Sequence, residues 1–128
     1  SQTDENPVYY VQMAHARLCG IGRNAAAAGA ATTGPADIGA LSEDDLALLK
    51  ALAHFPDLVA RAAEAHEPHR ITTWLEELAR MVHAWYHKSR VLGDEPAVQN
   101  ARLHLVAATR QLFENALTLL GSSAPERM

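Results

Sequence analysis

HRITTWLEELARMVHAWYHKSRVL, residues 69–92, is the stretch that decides the fold. Ile71, Trp74, Leu75, Leu78, Val82, Trp85 and Leu92 recur at three- and four-residue intervals, while Glu76, Glu77, Arg80 and Lys88 fall off that line. This is the stripe of a helix that buries one face. Glu67-Pro68 ahead of it and Gly93-Asp94-Glu95-Pro96 behind it are breaks. A second long helix follows, with Leu105, Ala108, Leu112, Ala116 and Leu119 inward, Val106, Phe113, Leu117 and Leu120 flanking them, and Gly121 as its stop.

Upstream, Ser42 with Asp45 three residues on marks a helix start carrying Leu46, Leu48, Leu49, Leu52 and Ala53. Phe55-Pro56 ends it and opens a shorter helix through Leu58, Val59, Ala62 and Ala63. At the front, Asn6-Pro7 supplies an N-cap and a proline at the first helical position. The helix behind it sets Val8, Val11, His15, Leu18 and Cys19 on one stripe, and Tyr10, Met13, Ala14 and Arg17 on the next. Residues 24–40, rich in Ala, Gly and Thr, read as a flexible loop that could lend a turn or two to the first helix. Short connections between amphipathic helices predict an all-α antiparallel bundle of about five helices, one domain over residues 1–128.

The composition agrees. The chain has 128 residues, 48% hydrophobic, 20% charged and 5% aromatic, which favours helix over sheet and order over disorder. One cysteine excludes an internal disulfide. No apolar run approaches the roughly 20 residues that span a bilayer, so no membrane partner is expected. The net charge of −4 argues against gripping DNA or RNA through phosphates over the whole surface. A small base-reading patch survives that argument.

The motifs that promise chemistry are weak. His83 and His87 stand at i, i+4 and His66 and His69 at i, i+3, but no third ligand is in register, so no metal is expected. Gly20-Ile21-Gly22-Arg23-Asn24-Ala25 imitates a dinucleotide fingerprint without the strand that fingerprint needs. No nucleophile elbow or P-loop occurs, and Cys19 lies on an apolar stripe. No catalytic residue is assigned. Tyr10, Met13 and Arg17 remain as a polarizable, cationic ridge. Periodicity leaves two readings of it: stacking on unpaired bases, or packing on a neighbouring helix.

NPVYYVQMAHARLCGI at residues 6–21, EPHRITTWLEELARMVHAWYHKSRVL at 67–92 and LLGSSAPERM at 119–128 together resemble the C-terminal anticodon-binding domain of class I arginyl-tRNA synthetases. That helical domain is called DALR after a short motif; Asn100-Ala101-Arg102-Leu103 corresponds to it here and keeps Ala-Arg-Leu. The resemblance covers nearly the whole chain outside residues 24–40. It implies recognition of the tRNA(Arg) anticodon loop, whose middle cytosine is a principal identity element. Tyr10 falls on a family tyrosine and Arg17 on a family arginine, with Gln12, Ala14 and His15 completing the run. Met13 stands where the family commonly has an aromatic. Met128 and Tyr86 are further anticodon-binding candidates.

The family's catalytic signatures, HIGH-like and KMSKS-like, are missing, and the Ser1 start and Pro-Glu-Arg-Met end suit a C-terminal piece of a larger ligase. The expectation is therefore a non-catalytic, cytoplasmic, monomeric unit working beside a catalytic domain of the same chain. ATP and magnesium would belong to that domain alone. The alternative is a free-standing helical protein-interaction module, with a groove for an amphipathic partner helix. A third reading is a metal-binding bundle enzyme built on His83 and His87.

Overall fold

The computed structural model describes residues 6–30, 32–93 and 95–128. Five α-helices make up the described residues: α1 (Pro7–Ala27), α2 (Glu43–Ala53), α3 (Phe55–Glu64), α4 (His69–Lys88) and α5 (Pro96–Leu119), with a 3-10 turn at Ile38–Ala40. The predicted bundle is what forms.

Each start has a local cause. Asn6 Oδ1 accepts the Val8 and Tyr9 amides ahead of Pro7. Ser42 and Asp45 close a full capping box: Ser42 Oγ accepts the Asp45 amide at 3.2 Å, and Asp45 Oδ2 accepts the Ser42 amide at 2.9 Å. Three ends share one geometry. After α1, α3 and α5, the residues Gly29, His66 and Gly121 turn to positive φ (70°, 55° and 76°), so their own amides and those of the next residues can return to the last turn. His66 is the only non-glycine described in that conformation.

α1 and α5 run antiparallel, since the chain after α1 meets the first turn of α5 and the chain after α5 meets the first turns of α1. The core lies between them and α4. Val11, Ala14, Leu18, Leu75, Val82, Phe113 and Ala116 have essentially no exposure. α2 and α3 cover the opposite side of α4, where Phe55 tilts against Trp74 at 5.5 Å between ring centres.

Some inward assignments shift. α4 stops at Lys88, so Leu92 lies in the following turn, and Val91 is the buried residue there. In α5, Leu119 is 57% exposed and Ala108 is exposed. Thr109 takes the buried place, its hydroxyl donating to the Leu105 carbonyl at 2.7 Å. That bond satisfies the hydroxyl inside the helix, so a polar residue can face the core.

The region 24–40 is more regular than a loop throughout. α1 continues to Ala27 because four alanines follow Asn24 before Gly29. What remains is fastened to α5: Asn100 Oδ1 accepts the Thr33 amide at 2.7 Å, its amide group donates to the Gly34 and Pro35 carbonyls, and His104 contacts Gly34.

One polar knot lies inside the bundle. Asp45 is fully buried and accepts from Trp85 Nε1 at 2.7 Å, Arg102 Nε at 2.9 Å and the Ser42 amide. Arg102 also donates to the Arg90 carbonyl at 2.6 Å. Burial pushes the Asp45 carboxyl upward, but the Ser42, Trp85 and Arg102 donors outweigh it and hold it below its ordinary 3.8. A depressed carboxylate stabilises the fold above its unfolded pKa, and that contribution fades as the pH falls through the folded value. Asp45→Asn is expected to cost about 3–5 kcal/mol in denaturant unfolding, because it neutralises a fully buried carboxylate and turns an NH2 donor toward one of the donors Ser42, Trp85 or Arg102. The variant should also show a shallower loss of stability below about pH 4. His66→Gly is expected to act the other way, raising stability by about 0.5–1 kcal/mol in the same titration by relieving the left-handed backbone.

Candidate nucleic-acid interface

α1 sends its stripes in three directions. One meets α5 and one meets α4. The third is covered by the chain after α5, which runs back along α1 as a strap. Gln12 Nε2 donates to the Ser123 carbonyl at 2.9 Å, His15 Nδ1 donates to the Pro125 carbonyl at 2.9 Å, and Arg23 Nη1 donates to the Glu126 carbonyl at 2.9 Å. Each anchor uses a backbone carbonyl, so the strap follows α1 whatever side chains it carries. It delivers Arg127 and Met128 to a groove of about 480 Å³ that Met13, Arg17, Gly20, Arg23, His83 and Tyr86 also line.

A second hollow of about 400 Å³ adjoins it, lined by Tyr10, Met13, Arg17, His83 and His87. Five of the expected residues, Tyr10, Met13, Arg17, Tyr86 and Met128, thus border one continuous depression. Tyr86 is 40% and Met128 59% exposed. The other two do not join them. Ala14 has no exposure and faces the core, which removes it from any contacting set. Gln12 is buried beneath the strap that it anchors. Helical spacing put Ala14 on that stripe and the family resemblance added Gln12, but the rows on either side of Met13 are covered.

The centre of the depression is Arg17. Its guanidinium carbon sits 4.4 Å above the Tyr86 ring, a cation–π stack, and Nη1 lies 3.0 Å from His83 Nδ1. Tyr10 tilts against the other side of His83, with ring centres 5.1 Å apart. Burial first, then the neighbouring Arg17 and His87, hold His83 below its ordinary 6.5 and so favour neutral imidazole. Arg17, Arg23 and Arg127 are the cations of the groove, and no acidic side chain lines it among the described residues. A chain of net charge −4 therefore concentrates positive charge beside two exposed, polarizable side chains. Such a surface can stack unpaired rings and meet phosphate or base-edge acceptors.

Sequence reasoning missed Arg23, Arg127 and His83 as part of this site. His83 had a visible signal, its place one turn before Tyr86-His87, but it was weighed there only as a metal ligand. Among the described residues no three His, Cys, Asp or Glu side chains gather as a metal would require. Cys19 is 8% exposed with Sγ 3.7 Å from His15 Nε2, and burial raises its thiol above the ordinary range, which suits a core residue and not a nucleophile. No helix is long and apolar enough to cross a membrane among the described residues.

Fold and groove together define a helical unit with a cationic, aromatic pocket on one face. Residues 11–128 match the family described as the DALR anticodon binding domain, and the chain belongs to that family. It is 54% identical to the arginine–tRNA ligase of Syntrophotalea carbinolica over 99% of this chain and 24% of that protein. It is 51% identical to that of Bordetella pertussis over the whole chain and 23% of the relative. The solved arginyl-tRNA synthetase of Thermus thermophilus superposes on 93% of the chain with a TM-score of 0.84 at 32% identity, using 21% of its own length. The chain thus spans about a quarter of the curated relatives it matches.

If the strap positions the groove, loosening its first anchor should act at a distance. Gln12→Ala is expected to cost about 1 kcal/mol of stability. It should also shift and sharpen the backbone carbon and nitrogen resonances of residues 122–128 while leaving those of α4 unchanged, as NMR would read.

Proposed function

We propose that this domain recognises the anticodon loop of tRNA(Arg) as the C-terminal unit of a cytoplasmic, monomeric arginine–tRNA ligase. In that ligase a separate catalytic domain would use ATP and magnesium, and this unit would supply binding and no catalysis. The observation that carries the reading is the Arg17 guanidinium stacked on an exposed tyrosine at the mouth of a groove with no acidic lining.

Each side chain then has a task. Tyr86 and Met128 offer flat or soft surfaces on which a splayed base can lie. Arg17 donates hydrogen bonds to a base edge or phosphate, and the middle cytosine of the anticodon offers acceptors at its O2 and N3. Met13 lies between the two hollows, where a flexible thioether adapts to a ring without fixing its angle. Tyr10 is half-buried and packs on the core as well as on His83, so it supports the groove wall as much as it faces RNA. The acidic surface elsewhere is compatible with this, since base contacts specify while phosphate contacts can be left to other parts of a ligase.

The test is a titration of the protein with the arginine anticodon stem-loop and with a copy whose middle cytosine is replaced. The native loop should bind more tightly. Arg17→Ala and Tyr86→Ala should each weaken it by about five- to a hundredfold, the ~1–3 kcal/mol of a stacking contact, with little change in melting. With three arginines in the groove, the plot of log affinity against log salt should have a slope of about −2. Equal affinity for the two loops, or a slope steeper than about −4, would refute anticodon reading by this groove.

A further inference from the structure

Arg17 could have been oriented by a carboxylate, the usual partner of a guanidinium. It is oriented instead by an imidazole. A guanidinium donates only and does not lose its proton, so a 3.0 Å contact from Arg17 Nη1 requires a lone pair on His83 Nδ1. The one proton of His83 is therefore on Nε2. That atom is buried and has no hydrogen-bond partner, so the ring is held by Arg17 and by Tyr10 alone on its polar and flat sides.

This arrangement does what a carboxylate cannot. It fixes the direction of Arg17 without cancelling its charge. No carboxylate pairs with Arg17 among the described residues. The guanidinium is thus aimed by two neutral groups, His83 Nδ1 and the Tyr86 face, and keeps a whole positive charge for a ligand.

Resting on the reading that the groove takes an anticodon loop, we propose that His83 is a positioning residue whose neutral ring holds Arg17 in the binding geometry, and whose protonation releases it. A proton taken from solvent onto Nδ1 replaces the lone pair with an N–H that faces an arginine N–H, and the contact becomes a repulsion between two cations. The groups facing His83 are Arg17 and Tyr10 from α1, Tyr86 and His87 from its own helix, and Arg127 from the strap beside the same groove. None is acidic near neutral pH, so none would stabilise imidazolium. The lowered pKa of His83 agrees with this. The sign is fixed: binding is complete where His83 is neutral, above 6.5, and is lost as the pH falls through the lower folded value. Protonation of His87 adds positive charge to the hollow and acts in the opposite sense.

The experiment measures stem-loop affinity between pH 7.5 and 5 for the wild type, His83→Asn and His83→Phe. Asparagine places an oxygen acceptor near the position of Nδ1 and does not titrate. The wild type should lose about tenfold in affinity on acidification, the size of one hydrogen bond to a charged group. His83→Asn should bind more weakly than the wild type at pH 7.5, because it loses the ring contact with Tyr10, but more tightly than His83→Phe, and it should lose the acid drop. His83→Phe should be about tenfold weaker at both ends, with discrimination of the middle cytosine reduced. Nitrogen-15 spectra of the free protein should show His83 as the Nε2–H tautomer, independently of RNA and of how well the variants fold. The same acid dependence in the wild type and His83→Asn, full affinity in His83→Phe, or an Nδ1–H tautomer would each overturn the role of His83 while leaving anticodon reading intact. Loss of cytosine discrimination in the wild type itself at pH 7.5 would instead remove the anticodon reading, and this proposal with it.

Discussion

Everything in this molecule is arranged around α1 being covered on three sides. α5 takes one row of its side chains, α4 takes another, and the strap at residues 122–128 takes the third through Gln12, His15 and Arg23. A helix in open solution shows a stripe and a back. Here the row through Met13 and Arg17 is left uncovered along the middle of the helix, and the groove is whatever its neighbours build along that row. Ala14 and Leu18, with no exposure, show how little tolerance there is on the core side. Because the uncovered row is bordered by rigid elements, its side chains are placed before a ligand arrives, which lowers the ordering cost of binding.

The motif that names the family holds this frame. Ala101 and Leu103 are buried. Arg102 is spent on Asp45 and on the Arg90 carbonyl, which joins the start of α2, the end of α4 and the first turns of α5 at one point. Asn100 ties down the connection between α1 and α2. An ion pair this deep adds little net stability over an apolar substitute, but it allows one arrangement of the three helices and penalises others. That matters because Tyr86 follows Trp85, the residue whose indole N–H is held by the same carboxylate. The rotation of α4 that faces Tyr86 toward Arg17 is set from the far side of the helix.

Much of this was legible in the sequence. Prolines at 7, 56 and 96, the Ser42–Asp45 pair and Gly121 mark helix ends by local chemistry, which needs no partner to act. The interval of Ile71, Leu75, Leu78, Val82 and Trp85 gave the face of α4 for the same reason. What could not be read was anything decided by a distant segment. Thr109 looks polar until its hydroxyl is seen to bond within its own helix, and Leu119 looks buried until it is seen to face outward while Leu117 and Leu120 take the core side. Gln12 and Ala14 lie on rows beside the uncovered one, and what covers them, the strap 111 positions on from Gln12 and the core built with α4 and α5, is distant in the chain. His83 was visible as a histidine pair with His87, but its pairing with Arg17 across 66 positions has no local signature.

The charge of the chain, which at first argues against nucleic acid, becomes a consequence of the same design. A domain that had to hold RNA by its phosphates would need a broad basic face, and a broad basic face attracts every RNA alike. On the proposed reading, a net charge of −4 with three arginines gathered at one groove disfavours polyanions elsewhere and attracts them there. Within that place, Arg17 is aimed by a neutral ring, so its attraction is neither spread nor cancelled. On the same proposed reading, specificity would follow from geometry: a nucleotide would gain from the arginine only if its base were already splayed and could lie on Tyr86 or Met128. A paired base in a stem cannot meet that condition, whereas a loop base can.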